Sequence, residues 1–92
     1  MKKLYSCNAT VDENGMVSYR TRIVTLSHDA ITMHLVHTST TMQHTRKYIK
    51  YLREHGEYGI ANVVEALYRL CIDEHAVAAK FSCIDGTIAV ID

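Results

Sequence analysis

Residues 5 to 23 are the stretch that most limits what this chain can become. Tyr5, Cys7, Ala9 and Val11 alternate with Ser6, Asn8 and Thr10, and Val17, Tyr19, Thr21 and Ile23 alternate with Ser18, Arg20 and Arg22. Period-two alternation describes a strand with one buried face, so the two runs predict a hairpin. Loop length sets its register. A two-residue Asn14-Gly15 turn would set Val11 opposite Ser18, apolar against polar. A three-residue loop, Glu13-Asn14-Gly15, sets Val11 opposite Val17, Ala9 opposite Tyr19 and Tyr5 opposite Ile23, all on one face. A one-residue slip turns every side chain over, so the three-residue loop is preferred, with Gly15 as its left-handed residue.

Within residues 28–38, Ile31, Met33 and Leu35 alternate, and Thr32, Val36 and Thr38 favour extended backbone. A third antiparallel strand is expected there; a short helix beginning near Ser27 is the competing reading. The period then changes from two to 3.6. Thr40 and Gln43 fit a capping box that opens a helix, and Met42, Thr45, Ile49 and Leu52 form its inward stripe, with Tyr48 beside it. Gly56 sits where a C-terminal cap belongs and Gly59 where the next helix starts. In that second helix Ile60, Val63, Val64, Leu67, Leu70 and Cys71 lie at helical spacing, and Asn62, Glu65 and Arg69 occupy the other side.

The end, "AKFSCIDGTIAVID", reads as a second hairpin on a two-residue Asp85-Gly86 turn, with Cys83 opposite Ile88 and Phe81 opposite Val90. Its reverse face carries Ile84, Ala89 and Ile91. A hairpin apolar on both sides needs cover on both. The helices can supply one cover. A second copy of the chain can supply the other, which makes Ile84, Ala89 and Ile91 a candidate homodimer interface. The expectation is therefore one α+β domain over residues 1–92: an antiparallel sheet of four to five strands (an N-terminal hairpin or meander plus a C-terminal hairpin), with two antiparallel helices packed on one face.

Several chemistries are excluded by what the pattern lacks. Cys7, Cys71 and Cys83 are odd in number and have no CxxC spacing, so a disulfide framework or zinc ribbon is not expected. They read as small hydrophobes in a reducing cytoplasm. No run of about 18 apolar residues exists, and the start holds no signal-peptide pattern, so no membrane partner is expected. His34 and His37 form an HxxH with His44 seven residues on, a candidate metal set. On a strand, however, His34 and His37 point to opposite faces, and no metal or other cofactor is expected. Cys71 and His75 could meet at helical spacing, but Cys71 belongs to the apolar stripe. No acid–base set converges, and the chain is not expected to be an enzyme. The GxxG at 56–59 encloses Glu57, which opposes phosphate.

"HTRKYIKYLR", residues 44–53, is left. On a helix Arg46, Lys50 and Arg53 form one stripe, with Lys47 and Tyr51 beside it; Arg20 and Arg22 could extend the basic surface. Tyrosines among cations suit nucleic acid or an acidic protein surface. Residues 1–53 carry eight cations and three anions, residues 54–92 two cations and seven anions, so a net +5 in one part balances −5 in the other. The second helix is mostly apolar and acidic, unlike a DNA-reading helix, and the pI is near 7.0. An acidic protein surface is therefore the preferred partner. The expected function is a small non-enzymatic interaction protein acting by surface complementarity. Regulators and inhibitors of host machinery carried by phages and mobile elements are of this kind. A nucleic-acid-binding regulator using helix 44–53 is the alternative.

Overall fold

The computed structural model describes residues 2–5 and 7–91; Ser6, which the alternation assigns to a strand's polar side, lies outside the described residues. The α+β class is observed. Among the described residues the sheet has seven strands rather than four to five, all antiparallel and in chain order. They are β1 (Lys2–Lys3), β2 (Ala9–Asp12), β3 (Gly15–Ser18), β4 (Thr21–Leu26), β5 (Ala30–His34), β6 (Ala78–Ser82) and β7 (Ile88–Val90). Between β5 and β6 the chain inserts α1 (Ser39–Glu54) and α2 (Tyr58–Asp73).

The extra strands arise because each expected long strand is broken by a turn with neither Gly nor Pro. Tyr5 and Tyr19 take left-handed backbone, with φ of 54° and 56°. That conformation is unfavourable for a bulky residue and needs the surroundings to hold it. Leu4 N–H donates to Ala9 C=O at 2.8 Å around the first turn, and Tyr19 N–H donates to Asn8 C=O at 2.8 Å at the second. The pairing of Tyr5 with Ile23 is therefore overturned.

The register of the first long hairpin also differs. Val11 faces Met16 and Ala9 faces Ser18, so the loop is Glu13-Asn14 and Gly15 already belongs to β3. The expectation failed because it treated an inward Ser18 as forbidden. Ser18 is 3% exposed, and its hydroxyl lies 2.7 Å from Nδ1 of buried His44 on α1. A buried polar group is tolerated once it is hydrogen-bonded, and here the partner comes from another element. Gly15 does take positive φ, +128°, but for close approach: a Cβ there would stand 1.9 Å from the Val24 carbonyl oxygen of β4.

The segment read as a third strand contains one, β5 (Ala30–His34), with Ile31 and Met33 buried; Leu35, just past its end, is buried too. Helix α1 starts two residues earlier than expected. Thr38 is its N-cap, with Thr41 N–H donating to Thr38 Oγ1 at 3.3 Å. Its buried face is Thr41, His44, Thr45, Tyr48, Ile49 and Leu52, so Tyr48 is central rather than flanking and Met42 sits at the margin. The buried residues of α2 are Ala61, Val64, Leu67 and Cys71. One hydrophobic cluster joins both helices to β2, β3, β4, β5 and β6; α1 contacts β3, and α2 contacts β5, β6 and β7.

The C-terminal hairpin has slid by two residues. Phe81 pairs with Ile88 and Ala79 with Val90, and residues 83–86 form the loop. Asp85 closes it by accepting from Thr87 N–H at 3.1 Å and Thr87 Oγ1 at 2.7 Å. Ile84 is consequently in the loop and not on a strand face. Cys83 is exposed there, not a core residue; Cys7 is half-buried and Cys71 buried.

Candidate functional site

Burying Thr45, Tyr48, Ile49 and Leu52 turns the flank of α1 that carries Met42, Arg46, Lys50 and Arg53 toward α2. The antiparallel partner presents Tyr58, Glu65, Tyr68, Arg69, Ile72 and Asp73. Between them runs a groove of about 880 Å³. Met42, Ile49 and Tyr68 are its less exposed lining, and Ile72, at 38% exposure, continues the apolar strip. Exposed Tyr58 stands beside the Arg53 end.

The charges on the lips are unequally free. Arg53 donates to Glu65 at 3.1 Å and to Asn62 Oδ1 at 3.4 Å. The second Glu65 oxygen lies 3.7 Å from Arg69. Arg46 donates to the Tyr68 hydroxyl at 2.7 Å, a neutral acceptor, and among the described residues no carboxylate lies within salt-bridge distance of it. Lys50 Nζ lies 5.7 Å from the Tyr5 ring centroid, and Lys47 is exposed. Among the described residues neither lysine has a carboxylate within salt-bridge distance.

Tyr51 lies on the opposite flank, in an aromatic cluster. Its ring sits 4.1 Å from His55, 6.3 Å from Tyr5 and 6.4 Å from Tyr48, with Lys2 Nζ 5.8 Å from its centroid. The Tyr5 hydroxyl donates to the Glu54 carboxylate. That bond, together with burial, pushes the phenol up to about 12. Burial raises the Tyr48 hydroxyl and the Cys71 thiol as well, so both stay protonated at neutral pH.

The remaining expected site residues are scattered. Arg20 is exposed in the β3–β4 turn, and Arg22 is held by Asp12 through contacts of 3.0 and 3.3 Å. The Arg22 guanidinium keeps the Asp12 carboxyl below its ordinary value. Neither arginine lines the groove. The candidate metal set is dispersed: His44 bonds Ser18, His37 Nε2 lies 2.6 Å from the Ala76 carbonyl oxygen, and His34 is exposed at the end of β5. No group of three metal-donor side chains occurs among the described residues. His75 lies past the end of α2 with its ring 5.3 Å from His37, while Cys71 is buried in the core. On the C-terminal hairpin, Ile84 is 82% exposed, Ala89 is exposed and Ile91 is 38% exposed. No helix among the described residues is long and apolar enough to cross a membrane.

Sequence reasoning missed the α2 side of the groove. A signal was present: Glu65, Tyr68, Arg69 and Ile72 recur at spacings of three and four, a second stripe beside the main apolar one. It also missed the Ser18–His44 pair, which no local pattern announces. Compared with protein-family models, with curated proteins and with solved structures, the chain matches none.

Proposed function

We propose that this chain is a non-enzymatic binding module whose α1–α2 groove takes an acidic segment of a partner protein. The observation that carries the reading is the groove itself, an apolar strip lined also by Arg46 and Lys50, neither of which has a described carboxylate within salt-bridge distance. Apolar contact would supply affinity, and the two cations would steer the partner and fix its orientation. An amphipathic helix suits such a trough, with anchors at i, i+3, i+4 and i+7 and acidic residues along one side. A 16-residue α1 is about 24 Å long, which matches roughly four turns of a partner helix. A regulator or inhibitor of host machinery works in this way, by covering a surface rather than turning over a substrate. A phosphate backbone suits the groove less well: Glu54, Glu65 and Asp73 line it too, and a backbone brings no apolar face to the strip to offset that repulsion.

The test is an amide chemical-shift titration with a synthetic amphipathic peptide of about four turns, Leu-striped and Glu-flanked. Its Lys-flanked counterpart and a short DNA duplex are run in parallel. The acidic peptide should shift Met42, Ile49, Tyr68 and Ile72 amides, and Arg46→Glu with Lys50→Glu should remove the effect while the spectrum stays folded. Equal shifts from the Lys-flanked peptide, or groove shifts from duplex alone, would overturn the reading.

A further inference from the structure

The two edges of the sheet are unlike. β1 ends one side with Lys2 and Lys3, both exposed. Charged, very short strands are a common guard against strand-to-strand addition. β7 ends the other side as Ile88-Ala89-Val90, with no charge and no proline. No bulge interrupts its pairing with β6.

The hydrogen-bond phase of β7 settles what that edge offers. Ser82 N–H donates to Thr87 C=O at 2.9 Å, and Ile91 N–H donates to Ala78 C=O at 3.0 Å. In an antiparallel ladder, bonded and non-bonded pairs alternate. Residues 87, 89 and 91 therefore turn their backbone groups toward β6, and Ile88 and Val90 turn theirs to the open edge. Side chains alternate in the same register. Ile88 lies beside Phe81 and half-buried Val90 beside core Ala79, on the face that α2 covers; Ile88 is still 43% exposed.

We infer that β7 pairs with β7 of a second copy, antiparallel and across a two-fold axis at Ala89. This inference does not depend on the groove. Ile88 of each copy exchanges both backbone bonds with Val90 of the other, so the outward groups on both strands are used. The half-exposed Ile88 side chain comes beside the other copy's Val90, which extends the apolar layer through the axis. On the reverse face Ala89 meets Ala89, a non-bonded pair with Cα atoms about 4.5 Å apart, where small side chains fit. No charged residue stands opposite a like charge within the paired segment. Lys80 and its mate are three strand spacings apart, about 14 Å, beyond the screening length. The occupant is a second copy because this edge is complementary to itself under a two-fold operation, as an isologous contact requires. The lysine edges then face outward at both ends of the joined sheet and stop further addition. The interface expected from Ile84, Ala89 and Ile91 is thereby recast: Ala89 lies on the axis, Ile91 flanks it, and Ile84 stays in the loop.

The experiment uses sedimentation equilibrium at micromolar concentration on the wild-type chain, on Ala89→Lys, and on an equimolar mixture of Ala89→Lys with Ala89→Glu. The wild type should be a dimer. Ala89→Lys sets like charges against each other on the axis and should raise the dimer dissociation constant on the order of 100-fold or more. Because Ala89 is exposed, its far-UV circular dichroism should be unchanged. The mixture should recover a one-to-one dimer, which a folding defect could not do. Hydrogen exchange should find the Ile88 and Val90 amides protected in the wild type and released in Ala89→Lys. A monomeric wild type, a dimer indifferent to Ala89→Lys, or free exchange at Ile88 and Val90 in a wild-type dimer would each overturn the inference.

Discussion

Replacing Gly15 with Ala tests whether close backbone approach, rather than turn geometry alone, holds β3 against β4. An ideal Cβ at Gly15 stands 1.9 Å from the Val24 carbonyl oxygen and 2.7 Å from its carbon. Ordinary contact begins near 3.4 Å, so the strands must part by on the order of 1.5 Å. The positive φ adds about 1–2 kcal/mol for any residue with a Cβ. Separation also weakens the bond from Leu26 N–H to Asn14 C=O, now 2.8 Å, worth about 1 kcal/mol net, with neighbouring ladder bonds at similar risk. Reduced freedom of the unfolded chain offsets roughly 0.5 kcal/mol. The sum is a loss of about 3 kcal/mol. A domain of this size has roughly 5–14 kcal/mol in total, and the melting temperature should fall by roughly 15 °C. Gly86→Ala and Gly56→Ala are the controls. Both glycines have positive φ, +75° and +77°, but nothing lies within 4 Å of an added Cβ. Each should lose only about 1 kcal/mol. Urea unfolding followed by far-UV circular dichroism measures all three. If Gly15→Ala loses no more than the controls, the steric argument is wrong.

Two further outcomes are expected. Burial, aided by the nearby charge of Lys47, holds the His44 ring below its ordinary value of 6.5. The unfolded chain then binds a proton that the folded one refuses, so this contribution is fully present above pH 6.5 and is lost as pH falls toward the folded value. Urea midpoints taken from pH 7.5 down to 5.5 should decline, and less steeply in His44→Asn, which keeps an acceptor for Ser18; an equal decline in both would exclude His44 as a source. Thr38→Ala should cost about 1 kcal/mol by removing the N-cap of α1, while Thr40→Ala stays within roughly 0.5 kcal/mol; the reverse order in thermal melts would restore the cap to Thr40.

Residues 44–53 show how far a pattern reaches. Helical spacing alone separated Arg46, Lys50 and Arg53 from Ile49 and Leu52, because a 3.6-residue period fixes which side chains share a face. Spacing could not say which charges are spent internally. That depends on Glu65, twelve positions beyond Arg53, arriving across the helix pair at 3.1 Å. The α2 stripe could be traced by spacing, but not as the groove's second wall, for the same reason: only packing decides which two stripes meet. Tyr58 and Tyr68 carried no local sign that they would share a trough with Arg46 and Arg53.

What the amino-acid order determined by itself was the kind of element over much of the chain and, for β5 and the two helices, the side that turns inward. Periods of two and 3.6 are properties of a single segment, and burying apolar surface selects the face whatever the partner. So β5, α1, α2 and the inward Phe81 with Val90 were legible. Strand breaks, registers and polar burial were decided only by tertiary structure. Tyr19 bends backward because Asn8 accepts its N–H, Ser18 turns inward because His44 meets it, and Gly15 is required because Val24 comes so close. Each of these rests on a contact made by a group that the local chain does not contain.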